Sequence, residues 1–86
     1  MSRQLKDLVS VGKATLADFE LLGIATVEEL VDKQPRQLYE DLMAATGTTQ
    51  DLCVLDVFRA AVEQARDPNL SREKCNWWYW SKRRDS

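Results

Sequence analysis

The sequence predicts an all-α fold, a compact bundle of about five short helices in a single domain spanning residues 1–86. Two observations predict it: apolar residues recur at spacings of three and four, and capping residues, glycines and prolines divide the chain into helix-sized pieces. No run alternates with period two between hairpin turns, so strands are not expected. The chain has 86 residues, of which 44% are apolar and 30% charged, enough for one small core.

The first two helices flank a short interruption in the apolar pattern. A helix over about residues 3–8 places Leu5 and Leu8 on one face and ends at the run Val9–Gly12. The second helix follows, and Gly23 stands where a left-handed C-cap glycine is expected. Its apolar stripe consists of Leu16, Phe19 and Leu22.

Capping and proline signals mark the third and fourth helices. Thr26 and Glu29 have the spacing of a capping box, which predicts a helix over about residues 27–32. Pro35 is well tolerated in a first helical turn, and the stripe after it predicts a helix over about residues 35–46. The stretch of residues 3–32 thus contains the first three helices.

The fifth helix is expected over about residues 49–66, after a stop at Gly47. Thr48 and Thr49 are its predicted caps, and Asp51 suits the positive end of the helix dipole. Its apolar residues wrap more than one face, so it should be the most buried helix. They are Leu52, Val54, Leu55, Val57, Phe58, Ala61, Val62 and Ala65.

Charge is distributed unevenly along the chain. Residues 1–69 carry seven basic and twelve acidic residues, whereas residues 70–86 carry five basic and two acidic ones. The acidic body should repel polyanions, so any contact with nucleic acid must be local.

The segment of residues 70–86 contains the cluster NWWYWSKRR, in which aromatic side chains precede cations. The aromatic rings could stack exposed bases while the cations meet phosphates. Burial of the indoles against the bundle is the favoured alternative, with the cations forming a solvated tail. The side chains concerned are Trp77, Trp78, Trp80, Lys82, Arg83 and Arg84.

Catalysis is not expected. Histidine, the commonest general base and transition-metal ligand, is absent from the sequence. Cys53 lies in an apolar helix and should pack as a small hydrophobe. Cys75, beside Lys74 and Arg72, could have a more acidic thiol, but a structural or incidental role is favoured because no second catalytic partner is present. We expect free thiols, no metal site, no cofactor and no small-molecule substrate.

Localisation follows from what the sequence lacks. No apolar run approaches the roughly 18 to 20 residues that cross a bilayer, and the first residues do not form a signal peptide. With two cysteines and no disulfide framework, a cytoplasmic protein without membrane contact is expected.

The stretch LVSVGKATL, residues 8–16, joins the first two helices. The N-terminus of the second helix presents backbone N–H groups that attract phosphate oxygens, and Lys13 and Thr15 could contact the same anion. A purely structural turn is the favoured reading from these residues alone.

Two resemblances extend this reading. The stretch Leu5–Leu30 resembles a helix-hairpin-helix (SAM-like) motif, which generally binds DNA without sequence preference through backbone amides of its hairpin. The stretch Thr26–Ala65 and the later WWYW resemble the small bacterial pathogenicity locus family, some of whose members are labelled mitomycin-resistance proteins. Carried over by position, the motif implies DNA contacts by Ser10, Val11, Gly12, Lys13 and Thr15.

This sequence departs from the motif at its first glycine, which is Ser10 here, and at the preceding proline, which is Val9. A serine side chain there is expected to tolerate positive φ poorly and to crowd a phosphate. Three hypotheses follow. The leading one is a non-catalytic module that binds DNA weakly through residues 10–15, aided by the basic tail; the others are a protein-interaction adaptor and an accessory enzyme using Cys75.

Overall fold

The computed structural model describes residues 3–83, and the regular structure within them is entirely helical, which confirms the all-α prediction. Four α-helices occur in these residues, and their bounds are α1 Lys13–Leu21, α2 Pro35–Thr46, α3 Leu52–Arg66 and α4 Trp77–Ser81. Three short 3-10 helices accompany them, at Leu5–Asp7, Glu28–Leu30 and Glu73–Cys75.

The first and third predicted helices are present, but as single 3-10 turns. The first is closed by a hydrogen bond from the Leu8 N–H to the Leu5 carbonyl at 3.2 Å, one residue too short for the α pattern. The second of these turns, Glu28–Leu30, has half of the predicted capping box, since the Glu29 N–H donates to the Thr26 hydroxyl at 3.3 Å. The Glu29 carboxylate accepts the Ala25 N–H at 3.3 Å and the Thr26 hydroxyl at 3.2 Å instead of the Thr26 backbone N–H that the box requires.

The helix stops are where the sequence predicts them. Gly23 and Gly47 have φ angles of 75° and 66°, in the left-handed region that glycine adopts without strain. Pro35 occupies the first turn of α2, where its missing N–H has no intrahelical partner to lose.

The predicted threonine caps of the fifth helix are wrong. Asp51 is the N-cap of α3, and its side chain makes no capping hydrogen bond. The Thr48 hydroxyl instead donates to the carbonyl of Thr46, the last residue of α2, at 3.2 Å. It therefore helps to close the preceding helix, and α3 begins three residues later than expected.

The core lies around α3, as its apolar pattern predicts. α3 packs against α2 on one side and against α4 on another. Phe58 stacks on Phe19 of α1, with ring centroids 5.5 Å apart, and both rings are completely buried. Each such ring stabilises the fold by about 2 to 3 kcal/mol relative to an exposed one. Residues 3–83 have a radius of gyration of 11.9 Å, close to the roughly 12 Å expected of a compact domain of this length.

Candidate functional site

The turn of residues 8–12, which we call the Ser10 turn, joins the first 3-10 helix to α1. A hydrogen bond from the Val11 N–H to the Leu8 carbonyl, at 3.3 Å, closes it. Ser10 has a φ of 72° and is the one non-glycine residue among residues 3–83 with a positive φ. A left-handed conformation costs a residue with a side chain about 1 to 2 kcal/mol, so this geometry needs compensation.

The Ser10 side chain supplies that compensation. Its hydroxyl donates to the Cys75 carbonyl at 3.2 Å and accepts the backbone N–H of Trp77 at 3.0 Å. Trp77 is the first residue of α4, so the hydroxyl fixes the start of this helix to the turn. The serine is thus accommodated at positive φ because its oxygen bonds to the C-terminal segment.

Gln64 of α3 forms hydrogen bonds with the backbone of the Ser10 turn, and the sequence analysis did not identify it. Its side chain is 4% exposed. The side-chain carbonyl accepts the Val9 N–H at 2.9 Å, and the side-chain amide donates to the Val9 carbonyl at 2.9 Å and to the Ala60 carbonyl at 3.1 Å. The available signal was a polar residue inside the apolar pattern of the most buried helix.

The N-terminus of α1 directly follows the Ser10 turn and is exposed. Gly12 is the N-cap and has no side chain to cap the helix; among residues 3–83, no acceptor takes the N–H groups of residues 13–15. A Cβ added to Gly12 would meet no atom within 4 Å. Gly12 and Lys13 are exposed and Thr15 is half-buried. Backbone donors, the helix dipole and one ammonium group therefore meet at an open surface.

The five predicted turn residues do not all face this surface. The side chain of Ser10 is bonded to the C-terminal segment, and Val11 packs partly against the core. The Ser10 side chain is expected to crowd a phosphate, but its hydrogen bonds direct the hydroxyl toward Cys75 and Trp77 instead.

The three indoles of the C-terminal segment have different surroundings. Trp80 is half-buried, its indole N–H donates to the Lys74 carbonyl at 2.8 Å, and the Arg59 guanidinium lies 4.9 Å from its ring centroid. Trp77 and Trp78 are each 40% exposed. The favoured structural role therefore fits Trp80, whereas the other two indoles retain substantial exposed surface.

The cations after the indoles are not simply a solvated tail. The Lys82 ammonium lies 5.3 Å from the ring centroid of Trp78. The Arg83 guanidinium lies 3.7 Å from that of Tyr79 and donates to the Tyr79 carbonyl at 3.1 Å. Both cations remain exposed, and within the described residues they make no hydrogen bond to the Ser10 turn. The third predicted cation, Arg84, lies outside the described residues.

Both cysteines are free thiols, as expected, but the packing predicted for Cys53 is wrong, and the alternative of a more acidic thiol at Cys75 is not found either. Cys53 is exposed rather than packed, although Val54 and Leu55 in the same first turn of α3 contact the core. Burial raises the pKa of the Cys75 thiol, the nearby positive charge of Arg3 lowers it less, and Asp67 raises it further. The acidification expected from Lys74 and Arg72 is therefore not found.

Among residues 3–83, no group of three or more cysteine and acidic side chains is placed to hold a metal ion. No helix in the same residues combines the length and the apolar character needed to cross a bilayer.

Comparison with known proteins identifies relatives over nearly the entire sequence. Residues 1–86 match the family described as Pathogenicity locus (Cdd1). The chain is also 38% identical over 80 residues to a protein of Streptomyces lavendulae named mitomycin resistance protein McrB, an alignment that covers 93% of this chain and 72% of the relative. No solved structure matches the chain. The full-length match shows that the chain belongs to the pathogenicity locus family.

Proposed function

We propose that this protein is a non-catalytic binding module that contacts the DNA backbone weakly and without sequence preference through residues 10–15. The observation that carries the proposal is the uncapped N-terminus of α1, where Gly12 leaves backbone N–H groups exposed beside Lys13. Such donors bind phosphate oxygens without reading the bases. We expect the protein to act in the cytoplasm.

The resemblance of Leu5–Leu30 to a helix-hairpin-helix motif supports this proposal. Ser10 replaces the first glycine of that motif yet has a φ of 72°, a conformation that favours glycine. Its hydroxyl is engaged by the C-terminal segment at Trp77. The substitution is therefore compatible with a hairpin whose phosphate-facing side remains open.

The charge of the chain sets the expected strength of binding. Residues 1–69 are net acidic, so the turn offers only a few phosphate contacts and the rest of the body opposes association. With two or three phosphates neutralised, affinity should fall about ten- to fortyfold between 50 and 200 mM salt.

Gly12→Asp separates binding from folding. The Gly12 backbone, with φ of −105° and ψ of −170°, has the extended conformation of an N-cap, so an aspartate there should cap α1 and maintain or raise stability. Its carboxylate would occupy the exposed N–H groups and repel phosphate. We expect the variant to remain folded and to lose most of its affinity for duplex DNA in a fluorescence anisotropy titration at low salt.

Two further variants complete the experiment. Lys13→Gln should weaken binding several-fold, whereas Lys33→Gln, which removes an exposed cation from the loop before α2, should have little effect. Amide chemical shifts recorded during the titration should move first at residues 10–15. Wild-type affinity in Gly12→Asp, or no binding by the native protein at low salt, would contradict the proposal.

A protein-interaction adaptor is the second candidate, favoured by the 40% exposure of both Trp77 and Trp78. In that case the Ser10 turn would serve as scaffolding, and the protein would be indifferent to DNA at low salt. Co-purification of a protein partner that is lost in a Trp77→Ala, Trp78→Ala variant would support this alternative.

The name of the Streptomyces relative suggests the biological setting. We propose that this chain also contributes to mitomycin resistance. Cells expressing the wild-type protein should survive mitomycin better than cells expressing Gly12→Asp at equal abundance, if binding by the turn underlies the phenotype. Equal survival would separate the resistance from this surface.

A further inference from the structure

The indole of Trp77 presents an exposed aromatic face. It is 40% exposed, and within residues 3–83 no second ring or cation stacks on its indole. The neighbouring aromatic side chains differ, because Trp78 lies under the Lys82 ammonium and Trp80 under the Arg59 guanidinium. Trp77 is therefore the indole best able to accept a further planar partner.

The backbone of Trp77 is bonded to the Ser10 turn. The Trp77 N–H donates to the Ser10 hydroxyl at 3.0 Å, so the residue carrying the ring directly contacts the turn. The Ser10 turn ends at Gly12, the N-cap that directly precedes the uncapped start of α1. An exposed stacking platform and a set of backbone N–H donors thus lie on neighbouring segments.

Charge favours a polyanion as the occupant of this platform. Residues 70–86 carry five basic and two acidic side chains, whereas the rest of the chain is acidic. Exposed Lys82 and Arg83 lie on the rings of Trp78 and Tyr79, within the same short helical segment as Trp77. A ligand combining flat bases with phosphates matches both features of this segment.

We propose that the DNA bound by this protein contains unpaired nucleotides, with an unpaired base stacked on Trp77 while the neighbouring phosphates contact the Ser10 turn and the start of α1. This inference rests on the proposed function and specifies its substrate class. Bases within an intact duplex are stacked on one another and offer no free face to an indole. A duplex with a single-stranded tail offers an unpaired base to Trp77 and backbone phosphates to the start of α1.

The test compares two labelled ligands by fluorescence anisotropy at low salt: a blunt duplex, and the same duplex extended by a single-stranded thymidine tail. The native protein should bind the tailed duplex about tenfold more tightly, the effect of one stacked base. Trp77→Leu should abolish that preference and leave affinity for the blunt duplex unchanged. Trp77→Phe should retain most of the preference because it keeps an aromatic face.

Trp78→Leu is the matched control, since Trp78 has the same exposure but already has a partner, the Lys82 ammonium 5.3 Å from its ring centroid. It should keep the preference for the tail, and thermal unfolding should show that each variant is folded. An equal preference in Trp77→Leu and the native protein, or no preference in the native protein, overturns the inference. If the native protein binds the blunt duplex and Gly12→Asp does not, the proposed function stands whether or not the tail is preferred. If the native protein binds neither ligand, both proposals are overturned.

Discussion

The side-chain amide of Gln64 pairs with both polar groups of the Val9 backbone, accepting its N–H and donating to its carbonyl, each at 2.9 Å. This arrangement reproduces the hydrogen bonding of a neighbouring strand with a single side chain. It pairs both polar groups of the Val9 backbone at a part-buried position against α3.

Replacing Gln64 with leucine should therefore be strongly destabilising. The substitution keeps the side chain's approximate volume but leaves the part-buried Val9 N–H and carbonyl without partners, at a cost of about 1 to 3 kcal/mol in the free energy of unfolding. Urea denaturation measures this cost. Gln37→Leu, on the exposed surface of α2, is the control and should change stability by less than about 0.5 kcal/mol.

Two substitutions of Ser10 should separate its hydrogen bonds from its backbone conformation. Ser10→Ala removes both hydrogen bonds and keeps a side chain at positive φ, so it should lose about 1 to 2 kcal/mol of stability. Ser10→Gly removes the same bonds but relieves the left-handed strain, and should be about 1 kcal/mol more stable than the alanine variant. Equal stabilities of the two variants in urea would show that the φ of 72° carries no strain.

The two thiols should differ in their rates of alkylation. Cys53 is exposed, whereas Cys75 is half-buried, its Sγ lies 3.8 Å from the Leu70 carbonyl, and burial raises its pKa. Since the thiolate is the reactive form, iodoacetamide at pH 8 should modify Cys53 first. Mass spectrometry of the single-thiol variants Cys53→Ser and Cys75→Ser tests the order. Faster reaction at Cys75 would revive the hypothesis of a reactive cysteine there.

Asp18 of α1 should make stability depend on pH. Burial raises the pKa of this carboxyl above its ordinary value, so the folded state holds the proton more tightly than the unfolded state. The cost of ionising it in the folded protein is absent at low pH, develops as pH rises through the folded pKa, and is complete at neutral pH. Asp18→Asn should consequently be more stable than the native protein at pH 7, and this advantage should vanish below about pH 3. Denaturant unfolding at both pH values provides the comparison.

The predictability of this fold depends on the range of each interaction. The stops at Gly23 and Gly47 and the hydrogen bond from the Glu29 N–H to the Thr26 hydroxyl are predictable because each acts within a few residues. The periodicity of α3 likewise identified the core. The exposure of Cys53 is not predictable in this way, because an apolar pattern that wraps more than one face of a helix does not show which face the neighbouring helices leave uncovered.

The candidate site was less predictable than the helices. The exposed start of α1 is a local feature, visible at Gly12 and Lys13. The bond from Ser10 to Trp77 and the pairing of Gln64 with Val9 join segments far apart in the chain, and no local pattern reports them. From the sequence alone, a serine in place of the motif glycine is therefore expected to be unfavourable for positive φ, and only the distant partner Trp77 explains why it is tolerated.

The contact between Ser10 and Trp77 also sets an order of events during synthesis. The two residues are 67 positions apart, so at ribosomal rates of about 5 to 20 residues per second the turn is made roughly 3 to 13 seconds before its partner. During that interval Ser10 has neither the Cys75 carbonyl nor the Trp77 N–H to offset its backbone strain. The nascent chain can acquire this turn in its final form only when the last helix arrives.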